Sequence, residues 1–382
     1  MKKYICLILL VFAASSCIYP YEIDLDGNAP ERLVVYGDIL IGEQTQIQLS
    51  YVMPLSANPD TPKPVPPQAR VRVENSKRKS FPGVASGKGG IYVIDTRKAP
   101  ENASYRLVVE LNDGRQFITP WANVNTAPEI TDISYTLDEQ NLYMQCSMQG
   151  QDTVRNFCWD YDELWEYHAY FVPDLLYVDG KYVVKKRFKE YYYCWNNRSS
   201  IEPCMATSEG QSENRIENYR FLTIPRTDYR LSQLYSITLA AKGLTSGAKA
   251  YIEHQSKISN GTGDLFSPVP SEMRGNIRNS RNPEEAAIGY ISVCKRSFKR
   301  IFIGFADIYK SPFDPESLLF YPEPDESGNY NLDEYFHYNS PVSFEGNEPN
   351  KTNVKWGAKI CTDCRAWGGT KTKPEWWPND DE

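Results

Sequence analysis

The first residues with chemistry to offer are Ser15-Ser16-Cys17. They follow Lys2-Lys3 and an apolar run over residues 4–14. A basic start, a short apolar stretch, small side chains and then a cysteine read as a bacterial lipoprotein signal peptide over residues 1–16. The run is too short for a bilayer core, which takes about 20 apolar residues. On this reading the Cys17 thiol carries diacylglycerol, and acylated Cys17 ties the chain to the lipid bilayer. Plain secretion, with Cys17 incidental, is the competing reading. Ala13 or Ala14 stands where such boxes usually carry leucine.

A second thiol pattern is Cys361-Thr362-Asp363-Cys364. No second pair lies at finger spacing, which argues against zinc. The βαβ setting of a thioredoxin-like redox pair is missing too. A small structural disulfide loop, Cys361 to Cys364, is therefore expected. Cys194 and Cys204 are candidates for a second loop on proximity alone. With Cys6 removed and Cys17 lipidated, seven of the nine cysteines remain, so at least one stays unpaired within the chain.

Catalytic chemistry finds little support. The three histidines, His168, His254 and His337, sit in no zinc, nucleophile-elbow or phosphate-loop frame. Asp160, Asp162, Glu163 and Glu166 are the densest carboxylates. On a strand, Asp160 and Asp162 share a face, and such oxygens can hold calcium. No glycine-turned loop accompanies them, so a solvated strand face is the expectation. No catalytic residue, metal site or cofactor is assigned, and the chain is read as a non-enzyme.

Removal of Lys2 and Lys3 with the leader takes 42 basic residues to 40 against 49 acidic, moving the net charge from −7 to −9. A net acidic chain has no electrostatic reason to bind nucleic acid. The 41% hydrophobic and 24% charged content belongs to a folded protein. Its 27 Tyr, 15 Phe and 8 Trp suit strands first and binding surfaces second. The candidate aromatic contact surface is Tyr191, Tyr192, Tyr193 and Trp195 with Trp367, Trp376 and Trp377. Burial of the three late tryptophans against the second domain is the alternative.

The elements that must position these groups read as mainly β. Residues 17–32 form an acidic tether. Residues 33–122 form an immunoglobulin-like β-sandwich, with strands over 33–41, 45–52, 69–74, 90–96, 105–111 and 116–121 and a proline-rich loop over 54–67. Asp113-Gly114 predicts a hairpin turn. Tyr105 is either a tyrosine corner or a plain core residue. Residues 123–129 are a linker. Residues 130–382 form a larger β-rich domain with one or two short helices. A hairpin turns at Asp179-Gly180, and a helix spans 245–259, capped by Thr245. Long loops are expected from Lys310 onward.

Several motifs together resemble a known family. They are the leader, Gly263-Asp264-Leu265-Phe266-Ser267-Pro268, Gly275-Asn276-Ile277-Arg278-Asn279 and Ile288-Gly289-Tyr290. Cys361-x-x-Cys364-Arg365, Gly368-Gly369-Thr370 and Lys373-Pro374-x-Trp376-Trp377 complete the set. The chain resembles the Bacteroidota lipoproteins grouped as domain of unknown function 4249, whose leader boxes often end in Ser-Cys. The resemblance implies a lipid-anchored outer-membrane protein, on either face, and an accessory role beside a TonB-dependent receptor in nutrient uptake. A stand-alone surface protein binding glycan or peptide is the alternative. The glycines of these motifs are expected to set backbone turns more than to touch a ligand.

Overall fold

The computed structural model describes residues 32–378 except 54–64, 67, 152, 186–188, 262–274, 305–307 and 313. The leader, Cys17, the tether up to residue 31, most of the proline-rich loop and the 263–268 motif lie outside the described residues.

The first unit runs through β1 (Leu33–Gly37), β2 (Ile39–Leu40), β3 (Gln44–Tyr51), β4 (Arg70–Asn75), β5 (Ser80–Ala85), β6 (Ile91–Asp95), β7 (Ser104–Glu110), β8 (Gln116–Ile118) and β9 (Ala122–Asn123). Alternation builds these strands. In β4, Val71 and Val73 point into the core while Arg70 and Arg72 do not. The strands pair in the order β1-β3-β6-β5-β4-β7-β8. The ladder folds over at β5, whose residues 80–82 pair with β4 and residues 83–85 with β6. The two layers close on a core that includes Ile47, Leu49, Val73, Ile94, Leu107 and Phe117. Tyr105, fully buried at the start of β7, donates its hydroxyl hydrogen to the Pro100 carbonyl, as a tyrosine corner does. At the β7–β8 turn only Gly114 takes a positive φ, +84°. The reversal therefore needs one left-handed residue there and not two.

The second unit contains β10 (Glu129–Leu137), β11 (Asn141–Gln149), β12 (Asn156–His168), β13 (Leu175–Val178), β14 (Lys181–Val184), β15 (Tyr193–Ser199), β16 (Cys204–Thr207), β17 (Arg215–Pro225) and β18 (Tyr235–Leu244). Then come α1 (Ser246–Gly261), β19 (Arg278–Asn279), β20 (Val293–Cys294) and β21 (Arg296–Ile303). A three-stranded sheet, β10-β11-β17, packs on one that is four strands across, β15-β12-β18-β21, whose fifth strand, β16, shares the β12 edge with β15. This three-against-four arrangement is an immunoglobulin-like sandwich. Its core joins Leu142, Met144 and Met148 to Phe157, Trp159, Trp165, Ile237 and Leu239. At one end the buried Glu163 carboxylate takes the Arg230 guanidinium at 2.6 Å and the Tyr235 hydroxyl at 2.8 Å. Asp179 and Gly180 both take positive φ, +49° and +74°, between β13 and β14, as a two-residue hairpin turn requires. Thr245 caps α1, its hydroxyl accepting the Ala248 amide at 3.2 Å.

Long loops were expected after Lys310, but a small sheet forms there. β22 (Leu319–Phe320), α2 (Leu332–Tyr338), β23 (Asn339–Phe344), β24 (Val354–Ala358) and α3 (Lys359–Thr362) follow in order, with β24 central. Trp356 and Val354 on β24 pack with Leu175 and Tyr177 of the β13–β14 hairpin. That hairpin supplies the apolar cover that these short strands lack by themselves.

The first core also needs chain from far downstream. Ile277, Ala287, Ile291 and Val293 belong to it, so residues 130–382 do not form one contiguous unit. β19 extends the first sheet beside β8, and β20 lies parallel to β2. The expected linker is tied in as well, the Asn125 amide donating to the Val293 carbonyl at 2.9 Å. Ile288 donates to the Leu33 carbonyl and accepts from the Val35 amide, both at 2.8 Å. The Asn276 side chain clamps the Ile291 backbone through two bonds of 2.9 Å. Gly289 has a φ of +136°, and a Cβ there would meet the Val35 carbonyl oxygen at 1.9 Å. A Cβ on Gly275 would in turn meet the Gly289 carbonyl oxygen at 1.6 Å. These motif glycines hold three backbones in contact, in line with their structural reading. Gly289→Ala is expected to cost about 2–4 kcal/mol through steric clash and left-handed strain. A urea midpoint unchanged from that of the parent chain would refute this packing.

Candidate functional site

The disulfide calls need correction. The structure pairs Cys194 with Cys364, with Cα atoms 5.7 Å apart and 170 residues between them in sequence. Register explains why Cys194 does not reach Cys204. On β12, Cys194 lies opposite Tyr167 and Cys204 opposite Trp159. Eight residues of strand separate those points by about 27 Å, far beyond the ~7 Å limit for a bridge. Cys361 and Cys364 belong to different turns. The Cys361 carbonyl accepts from the Phe171 amide, whereas the Cys364 amide donates to the Tyr191 carbonyl. A bridge closing so long a loop contributes about 2–4 kcal/mol. Cys146, Cys158, Cys204, Cys294 and Cys361 stay free. Burial pushes the thiols of Cys146 and Cys158 up to about 12 and that of Cys204 to about 11, which leaves them poor nucleophiles.

From Cys364 the chain runs as a strap across the outer face of the four-stranded sheet. Trp195 and Thr370 exchange backbone bonds of 2.8 and 2.9 Å. The Tyr167 hydroxyl donates to the Cys364 carbonyl at 2.6 Å. Trp377 is buried, and its indole N–H donates to Glu166 at 2.9 Å. The other Glu166 oxygen meets His168 Nε2 at 2.8 Å.

The aromatic residues singled out from sequence therefore do not make one surface. Trp377 fastens the strap. Trp367 is half-buried against Tyr229, with ring centroids 4.8 Å apart, and donates to the Ile360 carbonyl at 2.8 Å. Tyr192 packs on the second core. Tyr193 stacks edge-on to His168. Tyr191 lies beneath the Arg365 guanidinium at 3.7 Å. Trp195 is partly buried along the strap. Trp376 alone of the late tryptophans turns outward, at 44% exposure.

Period-two alternation on β12 decides what faces outward. Phe157, Trp159, Trp165 and Tyr167 face the core, which sends Cys158, Asp160, Asp162, Leu164 and Glu166 to the other side. Asp160 and Asp162 do share a face, as alternation predicts, while Glu163 is turned inward. α1 and its neighbours cover Cys158, and the strap covers Glu166. The strip between them is open. Among the described residues no cluster of three His, Cys, Asp or Glu side chains is placed to hold a metal ion.

At the Cys158 end, the two units and α1 enclose a cleft of about 520 Å³. Tyr36 of the first unit, Ile201, Tyr251 and Tyr290 line it, with Asp160 and Lys242 below. Lys242 is ion-paired with Asp38 across the units. Burial disfavours the Lys242 ammonium, but Asp38 outweighs it and holds the group protonated. Asp160 has no ion pair among the described residues. Its carboxylate reaches solvent through the cleft, yet the surrounding walls raise its pKa above the ordinary value. Lys242 opposes that rise and Asp38 adds to it. Sequence inspection singled out Asp160 but missed Asp38 and Lys242. A lysine closing the otherwise apolar β18 was the available signal.

The architecture is a pair of joined β-sandwiches with a cleft between them. Among the described residues no helix is long and apolar enough to cross a membrane. The chain belongs to the family described as Domain of unknown function (DUF4249), which matches residues 18–300. No curated protein matches it. Among solved structures, a two-domain fibronectin type III segment from chicken tenascin is similar at 10% identity and a TM-score of 0.16. That likeness covers 55% of this chain and 91% of the other. The FN1–FN3 domains of chicken CNTN1 are similar at 13% identity and a TM-score of 0.18, covering 55% of this chain and 60% of that one. Scores that low carry no argument about function.

The strap depends on an ionised Glu166. Burial disfavours its charge, but the bonds from His168 and Trp377 prevail and hold its pKa below the ordinary 4.5. A depressed carboxyl adds stability above its unfolded value and loses it as pH falls through the folded one. Between pH 7 and pH 3 the parent chain should lose about 1–2 kcal/mol more than Glu166→Gln, the weight of hydrogen bonds to a charged group. Equal acid sensitivity of the two in thermal melts would rule out this fastening.

Proposed function

We propose that the chain is a non-enzymatic, lipid-anchored outer-membrane protein that docks on a TonB-dependent receptor as an accessory in nutrient uptake. The position of the inter-unit cleft carries the reading. Its near wall is β1, which begins sixteen residues after Cys17. A tether of that length spans at most about 55 Å, so an acylated Cys17 keeps the cleft close to the membrane. A membrane-embedded partner lies within reach, while a distant soluble one gains nothing from the anchor.

The cleft also has the make-up of a docking surface. Tyr36 and Ile201 are 71% and 87% exposed beside it. Exposed apolar residues around a recess mark interaction sites. Asp160 and Glu202 add acid that no described base neutralises, since Lys242 is committed to Asp38. The matching occupant is an extended receptor segment that carries one basic side chain among apolar ones.

Affinity purification through a C-terminal tag, from native envelopes in mild detergent, tests this. The receptor should co-purify, and Ile201→Glu should cut its recovery about tenfold, as loss of an apolar anchor does. Recovery of the protein alone, or recovery indifferent to Ile201→Glu, would count against the reading.

A further inference from the structure

The open strip of the four-stranded sheet holds a second recess, next to the strap. Its volume is about 270 Å³, and Asp162, Asn197, Ser199, Thr238, Arg300 and Trp376 line it. Cross-strand register puts Ser199, Asp162, Thr238 and Arg300 in one row over four strands. Successive members of such a row stand about 4.8 Å apart.

Arg300 is the unusual member. Several arginines elsewhere have carboxylate partners: Arg230 has Glu163, Arg296 has Glu43, and Arg115 has Asp113 and Glu285. Arg300 has none among the described residues. Its Nε donates to the Thr238 hydroxyl at 2.8 Å, and its guanidinium carbon lies 3.5 Å from the Trp376 ring centroid. One edge and one face are thereby fixed, and among the described residues neither terminal nitrogen has a partner. Partial burial lowers its pKa, with no acid offsetting the effect. A planar, immobilised guanidinium with two free donors is preorganised for a bidentate carboxylate.

The remainder of the recess offers neutral and acceptor groups. One Asp162 oxygen takes the Ser199 hydroxyl at 2.6 Å, and the other has no partner among the described residues. At the floor the Ser236 residue is 99% buried and its hydroxyl has no partner among the described residues. Leaving such a group unsatisfied costs about 1–3 kcal/mol, so a ligand or water bonding there is favoured. The recess thus presents a cationic fork at one end, hydroxyls and an amide between, and an anionic acceptor at the other. A ligand that fits carries a carboxylate at one end of a ring and hydroxyls at the other. Asp162 sets the orientation, because it repels a carboxylate and accepts from hydroxyls.

We infer that the recess bounded by Arg300, Trp376 and Asp162 binds an acidic sugar, with Arg300 holding the carboxylate and Asp162 the distal hydroxyls. This site is separate from the inter-unit cleft and does not require the receptor. It gives the surface-binding alternative a definite place and ligand class.

D-glucuronate titrated into the full mature chain, with Trp fluorescence as the readout, tests the inference. D-glucose, acetate and glycine serve as comparison arms. Glucuronate should bind at least about tenfold more tightly than glucose, the weight of a bidentate charged pair. Arg300→Gln should abolish that margin, and Arg300→Lys should restore only part of it. Asp162→Asn should leave acetate binding unchanged while weakening glucuronate. Both side chains are solvent-facing, so the variants should melt with the parent chain. Equal binding of glucose and glucuronate would overturn the inference, as would acetate or glycine matching glucuronate. Absence of any glucuronate signal would overturn it too. None of these results bears on receptor co-purification, so the two ideas fail separately.

Discussion

The constraint on which the structure depends is the contact of three backbones at Val35, Gly289 and Gly275. No side chain fits between them. Through that contact the chain, having already built most of the second sandwich, returns to complete the core of the first before adding β21 to the second. Ile277, Ala287, Ile291 and Val293 are as much part of that core as Ile47 or Phe117. The first unit is therefore not self-sufficient in sequence, and chain from the second half is packed into its core. The Lys242–Asp38 ion pair and the Asn125–Val293 hydrogen bond lie along the same seam. A cleft between two loosely linked domains would have no defined shape. This one has walls set by interlocked chain.

A second regularity links packing to chemistry. β12 is thirteen residues long, and its outer side chains are covered at both ends. α1 and the first unit close over Cys158, and the strap closes over Glu166. What remains open carries Asp160, Asp162 and Leu164, with Thr238 and Arg300 on the adjoining strands. Asp160 and Arg300 on that strip have no ion pair among the described residues, whereas Glu163 in the interior is matched by Arg230. The Cys194–Cys364 bridge maintains the arrangement by pinning the strap where it leaves the small C-terminal sheet.

Much of the β architecture was legible from period-two alternation and turn residues. The Asp-Gly turns, the Thr245 cap and the shared face of Asp160 and Asp162 all follow from local rules, and Tyr105 proves to be a tyrosine corner. Features that depend on distant chain were not legible. β5 contains Pro82 and Gly83 and looks broken in sequence, because it serves two layers at once. The C-terminal sheet looks like loop because its apolar cover comes from a hairpin well over a hundred residues earlier. Proximity in sequence suggested Cys194–Cys204 and Cys361–Cys364, whereas register along β12 controls which sulfurs meet. The aromatic run from Tyr191 to Trp195 suggested a contact surface. Most of those rings instead pack on the core, the strap or a neighbouring cation. Arg300 sits in a strand that also carries Arg296 and Lys299, so nothing in the sequence marks it out, and a sequence does not show that Lys242 is paired and Arg300 is not.

The functional account joins a proposal to an observation: an acylated Cys17 would sit sixteen residues before β1, and β1 forms one wall of the cleft. Photo-crosslinking in native cells tests that conjunction most directly, with a benzophenone side chain placed at Ile201 in one strain and at Tyr338 in another. Tyr338 is similarly exposed, at 71%, but ends helix α2 beside the small C-terminal sheet and does not line the cleft. The account predicts an adduct with an outer-membrane receptor from Ile201 and none from Tyr338. Equal adducts from both positions, or none from Ile201, would contradict it.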